Sequence, residues 1–154
     1  MPASHMAQGA PLFGTRIDGV GLILPAGVAV IYLTDVAIHP LAGSPRRVLG
    51  LMQWQGHPVV VLDPSRRPVA DAPAIRRHTV LVFGAPGAGA ALWVDEPPAP
   101  IGIGASADSP AAPDCVFREV LSEPVTDAGG GPQIWWHFSP DALFAVLARP
   151  APGQ

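Results

Sequence analysis

The stretch VLGLMQWQGHPVVVLD, Val48 to Asp63, carries two apolar runs around a short polar turn. VLGLMQ (Val48 to Gln53) and HPVVVLD (His57 to Asp63) are rich in β-branched and long apolar residues, and Trp54-Gln55-Gly56 separates them. Such runs closing on a Gly-containing turn predict a β-hairpin. The odd feature is Trp54, an aromatic held between two Gln at a polar tip. An aromatic in that position either plugs a core or anchors a partner.

The same pattern repeats outward from the hairpin. VGLIL (Val20 to Leu24) and VAVIYL (Val28 to Leu33) lie on either side of Pro25-Ala26-Gly27, a turn signal. HTVLVFG (His78 to Gly84) and GAALWVD (Gly89 to Asp95) flank Ala85-Pro86-Gly87-Ala88, another hairpin pattern. IWWHF alternates, with Ile134, Trp136 and Phe138 on one face and Trp135 and His137 on the other. Short strands, frequent turns and no helix-length periodic segment in the middle predict a mainly β domain, a small barrel or sandwich. The 17 Gly and 20 Pro agree, since breakers at that density exclude long helices. Pro64 to Ala74 and Pro97 to Pro113 read as Pro-rich surface connections. One helix is well signalled near the end. Ser139 is the N-cap, Pro140 the first helical residue and Asp141 an acid beside the positive helix end. Leu143, Val146 and Leu147 supply the apolar stripe before Arg149-Pro150.

A length of 154 residues suits one domain with a core of its own. The opening MPASHM, residues 1–6, reads as an expression-tag remnant with Met6 as the native start. Residues 7–150 then form a single domain and 151–154 a tail. All nine basic residues are Arg, and a net charge of −3 provides no field for nucleic acid. The charged fraction of 14% is low, which leaves room for apolar surface facing a partner. The single Cys115 excludes an intramolecular disulfide and any Cys-based zinc site. No apolar run approaches the ~20 residues that span a bilayer, and a cytoplasmic protein is the default expectation.

Catalytic chemistry finds no constellation. The five His lie outside ligand spacing, so neither metal nor cofactor is expected. His57 and Asp63 share a strand but stand roughly 20 Å apart at ~3.3 Å per residue. Asp95-Glu96 points to opposite faces of a strand, and no Ser has a nucleophile-elbow context. Gly129-Gly130-Gly131 lacks the flanking strand, helix and Lys of a phosphate cradle. Three Arg pairs recur: Arg46-Arg47, Arg66-Arg67 and Arg76-Arg77. They bracket the central hairpin, and Arg46-Arg47 is the best candidate among them for an interface.

The central stretch resembles the signature of CheW-like domains: an apolar G-L-I strand, an N-L-R-G-like turn and a V-x-P-V-x-D-L-like strand. Gly50-Leu51-Met52 takes the first part, Gln53 to Gly56 the turn and His57 to Asp63 the second strand. ALWVDE (Ala91 to Glu96), ILPAGV (Ile23 to Val28), SPRRVLG (Ser44 to Gly50) and the terminal FSPDALFAVL are similar to further family segments in the same order, over about Phe13 to Arg149. The resemblance implies two interleaved five-stranded SH3-like barrels sharing a core, with a C-terminal helix. It also implies a non-enzymatic adaptor. Such adaptors couple a chemoreceptor, or another adaptor, to the regulatory domain of a histidine kinase, and variants serve type IV pilus twitching. The partner-binding residues expected on this basis are Arg46, Arg47, Gln53, Trp54, Gln55 and His57. Two departures stand out. The family's turn Arg corresponds to Gln55, which loses the charge and the bidentate fork, and the acid usual after the A-L-P strand is missing from Val28 to Tyr32.

Two other readings compete with the adaptor. One is a ligand-binding barrel with Trp54, Trp135 and Trp136 lining a pocket. The other is an enzyme using Asp63 or Asp95.

Overall fold

Alternating runs become strands because one side chain in two can then be buried while the backbone pairs laterally. The structure, a computed structural model, describes residues 12–42, 47–65, 75–85, 87–107, 110–129 and 133–149. Its strands are β1 (Leu12–Ile17), β2 (Val20–Ile23), β3 (Val30–Ile38), β4 (Val48–Trp54), β5 (His57–Leu62), β6 (Arg76–Phe83), β7 (Ala90–Trp93), β8 (Ala99–Ile101), β9 (Ile103–Ser106), β10 (Ser122–Asp127) and β11 (Ile134–His137). Among the described residues one α-helix, α1 (Pro140–Leu147), follows, and a short 3-10 turn (Arg118–Val120) precedes β10.

The strands form two sheets. The first runs β8-β1-β2-β11-β10-β9, the second β3-β6-β7-β5-β4. In the first, only Gly102 separates β8 from β9, yet β8 pairs with β1 at one edge and β9 with β10 at the other. The pair is thus one bent ribbon that touches both edges and closes a barrel of five ribbons. In the second, His39 and Leu51 exchange backbone hydrogen bonds of 2.8 Å, which bring the outer strands β3 and β4 together. β1, β2 and β8 to β11 build the first barrel, and β3 to β7 form the second. The mainly β, interleaved double barrel with a C-terminal helix is therefore present. The first sheet has six strands where five were expected, and the Pro97 to Pro113 connection is its source. Pro100 stands opposite Phe13 in the β8–β1 pair, and β8 has no described neighbour on its other side. A strand edge of that kind tolerates a residue with no N–H to donate.

Three apolar clusters hold the molecule. Val59, Val61, Val80, Val82, Met52 and Ile38 fill the second barrel. Ile23, Val125 and Trp135 fill the first. Leu22, Leu62, Leu81, Phe83, Leu92, Phe117, Trp136 and Phe138 form a core shared between them. β6 shows how one strand serves two cores: Val80 and Val82 point into the barrel, while Leu81 and Phe83 point into the shared layer. The alternation read from IWWHF follows the same logic, with Trp135 inside the first barrel and Trp136 in the shared core. α1 closes that layer with Leu143 and Leu147, both fully buried. Its start is as expected: the Ser139 hydroxyl accepts from the Ala142 N–H at 3.3 Å, and Pro140 follows.

The Pro25-Ala26-Gly27 turn joins strands that do not pair with each other. β2 lies beside β1 and β11, and β3 beside β6, so the turn carries the chain from one barrel to the other. β1 and β10 lay outside the strand reading. The readings of residues 1–6, the tail 151–154, Arg46, Arg66-Arg67 and Gly130-Gly131 fall outside the described residues.

Candidate partner-binding face

β4 and β5 pair in register from Val48↔Leu62 to Trp54↔His57, so the expected hairpin is present. Gln55 has φ 50° and Gly56 φ 80°. Positive φ at both central residues marks the two-residue turn whose twist matches that of the flanking strands. Gln53, Gln55 and His57 are exposed around this tip. Trp54 is half-buried and packs against the core of the second barrel, as do Leu33, Val36 and Trp93. It serves as a plug that is still partly open to solvent. His57 lies over the next turn, where a Cβ on Gly87 would stand 3.3 Å from the imidazole Nδ1.

Arg47 is not part of this tip. It precedes β4 at the opposite end, roughly 23 Å away at ~3.3 Å per residue. There its guanidinium donates to the Ser65 carbonyl, and its own carbonyl accepts from the Asp63 N–H at 2.9 Å. Asp63 is buried, and its Oδ1 accepts from the Ser65 N–H at 2.9 Å and the Ser65 hydroxyl at 2.6 Å. These bonds tie off the end of β5, which accounts for the carboxylate without any reaction. Asp95 stands exposed beyond β7. Among the described residues no group of three or more His, Cys, Asp or Glu could hold a metal ion.

The three tryptophans do not line a common pocket. Trp54 belongs to the second barrel, Trp135 to the first and Trp136 to the shared layer. Trp135 fits because Gly14 and Gly21 flank it, where Cβ atoms would come within 2.6 and 2.8 Å of its ring. The Trp-lined pocket fails because alternation along β11 sends adjacent tryptophans to opposite faces.

Sequence reasoning missed two concavities. An apolar groove of 480 Å³ runs between the barrels, lined by Phe13, Val28, Val30, Tyr32, Pro97 and Pro98, with no charge among the described residues that line it. Phe13 and Val28 are 40% and 38% exposed, high for apolar side chains of their size. Beside it lies a cup of 510 Å³ walled by Phe83, Phe144 and Val28, with Asp141 at its rim. The two share Gly27 and Val28, and the cup's floor includes Gly84, Ala88 and Gly89 of the turn on which His57 rests. Groove, cup and hairpin tip thus follow one another across the molecule. Only a low charge fraction hinted at such a surface, because its residues come from segments up to 131 positions apart, from Phe13 to Phe144.

Arg77 grips Asp35 at the bulge in β3, with Nε donating to Oδ1 at 2.9 Å and Nη2 to Oδ2 at 3.1 Å and to the Asp35 carbonyl at 2.8 Å. The guanidinium's hydrogen bonds and charge hold the Asp35 carboxyl below its ordinary range. Arg149 holds Glu119 in the same way. Burial pushes the Cys115 thiol up, away from the reactive thiolate.

This double barrel is a CheW-like fold in divergent form. No protein-family model matches the sequence, and no curated protein matches it. Among solved structures it is similar to the scaffolding protein TtCheW from Thermoanaerobacter tengcongensis. The TM-score is 0.59 at 15% identity, covering 93% of this chain and 99% of that one. No described helix is long and apolar enough to cross a membrane.

Proposed function

We propose that this chain is a non-enzymatic cytoplasmic scaffold of a chemotaxis-like signalling pathway, coupling a chemoreceptor or sister adaptor to the regulatory domain of a histidine kinase. The observation that carries this reading is the match of the whole double barrel to a scaffolding protein, nearly end to end on both chains. The run of groove, cup and hairpin tip supports it, because exposed apolar concavities with few charges suit protein contacts. Gln53, Trp54, Gln55 and His57 form the tip contact in this reading, with Arg47 at the other end of β4; Arg46, also proposed for partner binding, lies outside the described residues. With Gln55 where the family has Arg, an acidic receptor surface binds more weakly than it does to other members. Type IV pilus twitching is one output of such a pathway that this role would serve.

The test mixes the purified chain with a receptor signalling-tip fragment and with a kinase regulatory domain, separately and together, on size exclusion. Co-elution with either partner, at micromolar concentrations, is the expected result. Absence of co-elution with both, together with a rise in melting temperature on adding a small molecule, would favour the ligand-binding barrel instead.

A further inference from the structure

The cup beside α1 has a chemistry that the neighbouring groove lacks. Its walls are apolar, with the Phe83 and Phe144 rings edge-to-face at 5.6 Å and 75° and Val28 standing 38% exposed. Its floor is the backbone of Gly84, Ala88 and Gly89, where small side chains leave depth. Among the described residues that line it, Asp141 alone is charged. No described residue hydrogen-bonds or pairs with the Asp141 carboxylate, and the Ser139 hydroxyl, not Asp141, accepts from the Ala142 N–H at the helix start.

We propose that this cup receives a basic side chain from a partner protein, arginine in preference to lysine. The inference rests on the partner-binding reading of the face and names the chemistry recognised there. An apolar cavity with a single acid at its rim complements a side chain with an apolar stem and a cationic head. Arginine fits better than lysine because its planar guanidinium stacks on an aromatic wall and meets a carboxylate with two parallel bonds. A volume of 510 Å³ accommodates that side chain together with an apolar neighbour from the same loop. The sign of the rim charge excludes an acidic or phosphorylated segment. Because Gly27 and Val28 belong to both concavities, a partner seated in the groove can place one basic residue in the cup without leaving the surface.

The experiment is an amide NMR titration with two probes, N-acetyl-L-argininamide and the uncharged N-acetyl-L-norleucinamide. The expected result is perturbation at Val28, Ala88, Ala90 and Phe144, with about tenfold tighter binding of the arginine probe. Asp141→Asn should erase that preference while the rest of the spectrum overlays that of the parent, and Val28→Ser should weaken both probes. Equal binding of the two probes, a preference that survives in Asp141→Asn, or silence at those amides would overturn the proposal. So would a concentration-dependent dimer that Asp141→Asn abolishes, since the cup would then belong to a second copy. The probes need neither receptor nor kinase, so this outcome reads independently of the co-elution test.

Discussion

Asp35 adopts φ 53° inside β3, a conformation that costs a non-glycine residue energy, and Arg77 holds it there through three bonds. Because this pairing lowers the Asp35 carboxyl in the folded state, its stabilisation is full above the ordinary value of 3.8 and vanishes as pH falls through the lowered one. Melting temperatures of the parent and Asp35→Asn should therefore differ at neutral pH and converge on acidification. The gap should be small, since both side chains are more than half exposed. A gap that widened in acid would contradict the pairing. Trp54 invites a second measurement. Full burial of a Trp is worth ~3–5 kcal/mol on truncation, so a half-buried plug should lose about 2 kcal/mol in Trp54→Ala by chemical denaturation. Arg47→Glu should also destabilise, by about 1–2 kcal/mol, because it removes the donor to the Ser65 carbonyl. A binding defect in either variant has to be read after correction for stability. At this scale the sequence exposed the identity of the unusual residues but not their duties. Trp54 was legible as plug or anchor, and its packing against the buried core of the second barrel makes it a plug that stays partly exposed.

Elements were legible where their signals were local. The central hairpin and the β6–β7 hairpin announced themselves through β-branched runs and Gly turns, and α1 through its Ser139-Pro140 start. β8 and β9 did not, because prolines and Gly102 broke the alternation into pieces too short to read. β1 was missed although Asp18-Gly19, both at positive φ, form the dipeptide that favours a tight hairpin. Barrel closure depends on a detail of the same order. Gly50 sits at φ 150°, and a Cβ there would collide with the His39 carbonyl. Gly50→Ala should thus pry β4 from β3, costing roughly 2–4 kcal/mol. Exchange of the His39 and Leu51 amides should accelerate by more than that of the β6 amides. Uniform acceleration across the sheet would show that the closing bridge is not the weak point.

On the scale of the molecule, the two barrels share one apolar layer, so neither has a complete core alone. Leu81, fully buried in that layer, belongs to a strand whose other face fills the second barrel. Unfolding should accordingly be a single transition. Trp135 in the first barrel and Trp54 in the second should report the same midpoint in single-Trp variants, and Leu81→Ala should lower both together by ~2–5 kcal/mol. Two separated midpoints would mean independent barrels. By itself the sequence determined the strands with strong alternation, two hairpins, the helix and its cap, and an architecture recognisable from the order of its motifs. These depend on side-chain period and turn chemistry, which act over a few residues. Only the tertiary structure decided which strands became neighbours, how one bent ribbon closed the first barrel, and that Phe13, Val28, Tyr32, Pro97 and Phe144 would line adjoining hollows. Those outcomes come from burying surface between segments far apart in the chain, and no local pattern encodes which distant face will meet which.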